Sequence, residues 1–452
     1  MWRSPLNINI FKEATMVDYP KFVKETLSEI IRQMATDVKS FVKNPNADFI
    51  RNRKLSFETV MNLMLSMGGN SLTSELMEYF DYNVDMPSSS AFIQQRNKLL
   101  PFAFEFLFNK FTHSFRDLKT YQGYRLLAVD GSDLNICHNP NDIDTYFQYL
   151  QNTKGFNQLH LNAMYDLCNK LYVDACIQPG RKVNEVRALT DMTDRLNISG
   201  NVIVIADRGY ESYNVFAHIE QKGWKYAIRV KDITSNGIVS ALKLPDEDEF
   251  DVNINVILTK KQTKDIKNSP ELYKLIPKKA TFDYLDLHTN LFYPITFRVV
   301  RFKITDDTYE TIITNLDSEE FPPEKIKELY HLRWGIETSF RELKYAIGLI
   351  SFHSKKVEHI TQEIFARLTM YNFCELITMH VVIQQKDTKH CYQVNFTRAM
   401  QVCKHYFKCQ SYISPPDVEA LIRKNILPVR EGRKDPRKIK TRTVVSFLYR
   451  VA

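Results

Sequence analysis

The sequence predicts a mixed α/β protein: a sheet covered by helices, preceded by a helical region and interrupted by a β-rich insertion. Three observations predict it. Residues up to about 120 carry apolar side chains at helical spacing. From Tyr124 the texture changes to β-rich runs, and the order to residue 230 reads β-β-β-α-β-α-β. Between residues 231 and 321 come further strand-like runs linked by Pro- and Lys-containing loops.

In chain order, FVKETLSEIIRQMATDVKSFV has helical periodicity, and Ser56 is an N-cap for SFETVMNLMLSM, which stops at Gly68-Gly69. SLTSELMEYF follows, then the loop DYNVDMP. Ser88-Ser89-Ser90 caps AFIQQRNKLL, and Pro101 opens PFAFEFLFNKFTHSF. Short helices between tight turns, one bearing Gln94, Gln95, Arg96 and Lys98, fit a helix-turn-helix-like DNA reader; they fit a plain helical bundle equally well. Next, YRLLAVDGSD and NVIVIADRGY read as strands finishing on Asp130 and Asp207. Between them, FNQLHLNAMYDL and KLYVDACIQ read as strands joined by a turn at residues 166–170. NEVRALTDMTDRL and SYNVFAHIEQKG read as helices, WKYAIRV as a strand, and VNINVILTK, FYPITFRVVRFKI and YETIITNL as strands of the insertion. Pro322-Pro323 then leads into one helix, YHLRWGIETSFRELKYAIGL. The divisions are 1–120 (helical), 121–230 (first part of the α/β core), 231–321 (β-rich insertion), 322–385 (remainder of the core) and 386–452 (helical and basic).

A chain of 452 residues, 44% hydrophobic and 25% charged, can bury a sizeable core in two to four domains. No apolar run approaches the ~18 residues of a membrane span. MWRSPLNINIF has no signal-peptide pattern, so a cytoplasmic protein without a membrane partner is expected. Seven scattered cysteines do not make a disulfide framework, and Cys403-x-His405-x3-Cys409 lacks a fourth zinc partner at usual spacing. The net charge of +8 is compatible with a polyanionic partner. Much of it lies from Arg423 to Arg442, where Gly432 and Pro436 imply an extended arm able to follow phosphates.

The last quoted helix poses a question. At 100° per residue, Tyr330, Arg333, Glu337 and Lys344 share an arc roughly 60° wide, beside an apolar stripe of Ile336, Phe340, Leu343 and Ile347. Alone, the polar line fits a solvated face with an Arg333–Glu337 pair. Asp130 and Asp207 change the balance, because each ends a buried-looking strand, where an α/β sheet exposes its chemistry. Three converging acids repel one another unless a cation joins them, and hard oxygen donors favour Mg2+ or Mn2+. Two such ions about 3.5–4 Å apart can activate water and stabilise a leaving 3′-oxygen in phosphodiester displacement. Arg333, Lys344, Tyr330 and Arg208 would then bind phosphate oxygens. Asp133 could replace Asp130, although its place after Gly131-Ser132 suits a turn. Asp166, Asp174 and Glu185 are further acids in the region, and His160 reads as a core residue. Trp334 could stack on an unpaired base or pack under the insertion.

The spacing Y-x2-R-x3-E-x6-K, after D-G-S and D-R-G-Y, resembles the insertion-sequence DDE transposases marked by the YREK motif. All four motif positions are present, and Asp130 and Asp207 match the first two catalytic acids of that family; Ser132 stands where Thr is more usual. The resemblance implies a ribonuclease-H-like core split by the insertion. It also implies Mg2+-dependent (or Mn2+-dependent) cut-and-paste at terminal inverted repeats of double-stranded DNA, within a homodimeric synapse in the nucleoid. Asp130, Asp207 and Glu337 would be catalytic and hold two ions. Trp334 matches an aromatic that holds a flipped base in relatives with hairpin excision. Two other classes remain: a transposase-derived DNA-binding repressor without catalysis, and a simple nuclease on the same core.

Overall fold

The structure, a computed structural model, describes residues 18–148, 154–286, 288–383, 391–409 and 415–429. Five helices come first: α1 (Tyr19–Thr36), α2 (Phe57–Ser66), α3 (Leu72–Tyr79), α4 (Ser89–Arg96) and α5 (Phe102–Thr112). Ser56, Ser71 and Ser88 cap α2, α3 and α4, each hydroxyl accepting from the N–H three residues on.

The α/β part then runs β1 (Tyr124–Ile136), β2 (Tyr146–Phe147), β3 (Phe156–Asp166), β4 (Leu171–Pro179), α6 (Glu185–Arg195), β5 (Asn201–Ala206), α7 (Tyr213–Gln221) and β6 (Lys225–Val230). Strand β1 pairs antiparallel with β3 and parallel with β5, β3 pairs antiparallel with β4, and β5 pairs parallel with β6. After them come β7 (Phe250–Thr259), α8 (Lys264–Asn268), β8 (Tyr273–Leu275), β9 (Tyr293–Thr305) and β10 (Thr308–Thr314). The insertion strands do not form a sheet of their own. Strand β10 pairs antiparallel with β6, and the path continues through β9 and β7 to β8, giving one ten-stranded sheet. The mixed α/β class with a large central sheet is what the sequence predicts.

Alternation along β1 sends Leu127 and Val129 to one face, with Leu189, Met192 and Phe216 of α6 and α7. Leu126 and Ala128 face the other way, into clusters that include Ile326, Tyr330, Ile336 and Phe340. Strand β1 does not finish on Asp130: hairpin pairing with β3 carries it six residues further, and Asp133 lies in that strand opposite His160, not in a turn.

The predicted single helix over the Tyr330–Lys344 motif is broken. It comprises α9 (Pro323–His331), a turn at Leu332 and Arg333, α10 (Trp334–Glu342) and a π-helical turn over Leu343–Ile347 that ends on Gly348 at φ 93°. The wider π turn takes Lys344 off the uniform 100° wheel.

Helix α11 (Val357–Thr378) is buried nearly all round among the N-terminal helices, its polar side chains included. It ends the predicted reader role of Arg96: that side chain is 2% exposed and bonded to Gln362 and Glu363 of α11. Gln95 is also buried. The remaining elements are β11 (Tyr392–Val394), α12 (Phe396–Lys408), α13 (Val418–Lys424) and β12 (Ile426–Pro428). The basic tail from Arg430 lies outside the described residues. Among those residues, no helix is long and apolar enough to cross a membrane.

Candidate active site

Parallel pairing of β1 with β5 stops at Val129 opposite Ala206, so the next residues stand side by side: Asp130 still within β1, and Asp207 just past the end of β5. One oxygen of each turns back on its own backbone: Asp130 Oδ1 accepts from Gly131 N–H and Asp207 Oδ1 from Gly209 N–H, both at 2.8 Å. Helix α10 brings the third acid. Its Ile336 and Phe340 are buried, and at Gly335 a Cβ would stand 2.8 Å from Leu167, so only glycine permits this approach to the β3–β4 turn without a shift.

Arg333 ties these elements together. Its Nη2 donates to Glu337 Oε1 at 2.9 Å, and its Nη1 lies 3.7 Å from Asp130 Oδ2. Burial pushes the Asp130 carboxyl up to about 6. The Gly131 N–H and Arg333 oppose that rise, while the charges of Asp207 and Glu337 add to it. Asp207 and Glu337 therefore both bear electrostatically on Asp130; Arg333 serves Asp130 and Glu337, while Asp207 is reached by Arg229.

The other predicted residues fall differently. Tyr330 is buried and its hydroxyl has no hydrogen-bond partner; burial first of all raises it to about 12. The Arg333 and Arg229 guanidiniums lie 5.7 and 5.8 Å from its ring centroid. Trp334 is exposed, with Arg333 5.7 Å from its ring. Lys344 Nζ donates to the Asp133 carbonyl at 2.9 Å, on the part of β1 beyond its pairing with β5. Arg208 is exposed beside Asp207.

Sequence reasoning missed Arg229. From β6 it donates to Glu310 at 3.1 Å and reaches within 3.9 Å of Asp207 Oδ2. A single arginine in WKYAIRV carries no pattern; only the β5–β6 pairing brings it to the site. His160, read as a core residue, is engaged on both ring nitrogens, by Asp133 at 2.8 Å and Glu185 at 3.1 Å. Burial lowers its proton affinity, but the two acids more than offset this and raise it to about 9, so His160 is an imidazolium at neutral pH.

Among the described residues, no three His, Cys, Asp or Glu side chains form a ready-made metal cage. As donors, however, Asp130, Asp207 and Glu337 are hard oxygen ligands from three separate elements, which fits Mg2+ or Mn2+.

Comparison with known proteins shows the family of the chain. The family model described as a transposase DDE domain matches residues 121–373, from just before β1 into α11. The chain belongs to this family. The match takes in Asp130, Asp207, Glu337 and the whole insertion. No curated protein matches the chain. Among solved structures, it is similar to a piggyBac transposase, a cryo-EM synaptic complex with hairpin DNA. Sequence identity is 11%, the TM-score is 0.43, and the alignment covers 92% of this chain and 82% of that one. That likeness is too distant to argue from. Membership makes this chain a DDE transposase by family, an enzyme class acting on DNA, and the family typically uses divalent metal ions.

Proposed function

We propose that this family member is a cut-and-paste transposase of the YREK-motif group, cleaving and joining DNA at the inverted-repeat ends of an insertion sequence. The observation that carries the reading is the bridge from Arg333 to Asp130 and Glu337, with Asp207 leaving the adjacent strand. The order β4-β3-β1-β5-β6, with only β1–β5 and β5–β6 parallel, supports a ribonuclease-H-like core. The strands added beyond β6 support reading 231–321 as its insertion.

Asp130, Asp207 and Glu337 are the residues that would hold the divalent ions. Bound there, Mg2+ supplies Lewis-acid activation of water and stabilisation of the leaving oxygen. The protein's own part is positioning and charge. Arg333 and Arg229 present forked donors to phosphate oxygens, Lys344 adds a point charge, and the unpartnered Tyr330 hydroxyl is a donor in reserve. Exposed Trp334 offers a face to an unstacked base, and Arg208 a further cation. In the first step a water oxygen bonds to phosphorus and the P–O3′ bond breaks, leaving a 5′-phosphate and a 3′-hydroxyl. In the second, that hydroxyl displaces a 3′-oxygen in target DNA, one phosphodiester replacing another. A homodimeric synapse would hold two ends together.

The test is metal-dependent nicking of end-bearing DNA, followed by strand transfer. Wild type should give both products, and Glu337→Gln should lose nicking by at least about a hundredfold while keeping end binding. Equal nicking by both proteins removes Glu337 from the mechanism. End binding without cleavage in Mg2+ or Mn2+ would make the chain a repressor; nicks without joined products would make it a nuclease.

A further inference from the structure

On the face of β1 opposite Asp130, His160 and Glu185 fill the space over Gly131, and Glu185 also borders Gly209 beside Asp207. A Cβ at Gly131 would lie 2.3 Å from His160 Nε2 and 2.7 Å from Glu185 Oε1. A Cβ at Gly209 would lie 3.1 Å from both Asp207 Oδ1 and Glu185 Oε2. Glu185, the first residue of α6, therefore reaches from the back of the catalytic strand to the Asp207 turn; Gly131 leaves no room for a Cβ, and a Cβ at Gly209 would be tight. Its Oε1 is engaged by His160, which Asp133 grips from the other side. Its Oε2 and Asp207 Oδ1 flank the same point above Gly209. A second observation marks the same place. Tyr210 is 1% exposed, and its hydroxyl has no hydrogen-bond partner although Glu185, Asp130 and Asp207 are its charged neighbours. Such a group, buried without a partner beside several acids, belongs to a site completed by a ligand.

We propose that Glu185 is a fourth acid of the centre, an oxygen ligand on the Asp207 side for the divalent cation, and that His160 is the positioning residue that aims it. The inference rests on the proposed reading of Asp130, Asp207 and Glu337. Asp133 extends the brace, because its carbonyl also receives Lys344, so one charged line fixes β1 from both faces.

The experiment is a titration of the full-length protein with Mn2+ alone, followed by electron paramagnetic resonance, with melting temperature as the folding control. Glu185→Gln should weaken Mn2+ binding about tenfold or more. His160→Ala should weaken it by roughly 10–100-fold, as loss of a ligand-orienting partner does. In the Glu185→Gln background His160→Ala should cost nothing further, a coupling that a merely structural histidine would not show. Should His160→Ala melt early, His160→Gln, which keeps an N–H donor, carries the same test. Wild-type Mn2+ affinity in Glu185→Gln alongside weakened binding in Asp207→Asn overturns this inference alone. Unchanged binding in Asp207→Asn and Glu337→Gln as well overturns the reading on which it rests.

Discussion

Two buried arginines, each gripping a glutamate, do opposite things in this protein. Arg96 is 2% exposed and Arg333 5%. Around Arg96 nothing is left over. Its Nε donates to Gln362, its Nη1 to Glu363 and its Nη2 to the His359 carbonyl, while Glu363 also accepts from His353 and Arg367. Around Arg333 the inventory does not close. The Nε groups of Arg333 and Arg229 and the hydroxyls of Tyr330 and Tyr210 have no partner, and Arg333 stands 3.7 Å from Asp130, beyond a good hydrogen bond. The difference teaches that burial of charge alone does not identify function; here the incomplete network is the one beside the acids. A saturated network pins α4 to α11, whereas an unsaturated one keeps donors and acceptors for something that arrives.

The comparison can be broken most forcefully at its saturated end. Arg96→Met should cost about 3–5 kcal/mol, because Glu363 is left buried without its main partner; chemical denaturation measures this. A loss under 1 kcal/mol would mean that Glu363 is satisfied without Arg96.

Acid should attack the same region. Burial and then Arg96 hold His359 down at about 4, against about 6.5 when unfolded. As pH falls from about 6.5 to 4, the unfolded chain takes up a proton that the folded chain refuses, so stability drops across that window. Glu363 extends the loss at lower pH. Burial raises its carboxyl, but Arg96, His353 and Arg367 more than offset this and hold it at about 2. The stability it contributes is full above the unfolded value near 4.3 and is lost as pH falls towards 2. Asp130, raised to about 6, opposes this loss between about 6 and 3.8, so the check is a difference between proteins: melting temperature should fall less with acid in Arg96→Met than in wild type.

At the unsaturated end the effect on stability should be smallest. Arg333→Met should cost less than Arg96→Met, because its partners Asp130 and Glu337 keep 23% and 31% exposure whereas Glu363 keeps 2%, while sharply reducing end binding and cleavage. A cost matching that of Arg96→Met would place Arg333 among the structural arginines and erase the contrast.

Much of this was legible in the chain. The serine caps are local chemistry, and strands such as WKYAIRV announce themselves by composition, so their bounds come close to those observed. The acids were legible because two follow strands and one sits in a spaced motif. What stayed hidden is tertiary. Nothing in YETIITNL says that it will pair with β6 and merge the insertion into the main sheet. Arg96 reads as a surface cation until α11 covers it, and Arg229 gains meaning only from its neighbouring strand. The π turn that redirects Lys344 defeats a helical wheel that assumes uniform pitch.

The central claim is that Asp130, Asp207 and Glu337 share a cation. The most direct measurement replaces Mg2+ with Fe2+ and maps where peroxide and ascorbate cut the polypeptide. Cuts clustered near residues 130, 207 and 337, suppressed by excess Mg2+ and lost in Glu337→Gln, are predicted. Cuts confined to other segments, or unchanged in Glu337→Gln, would contradict it.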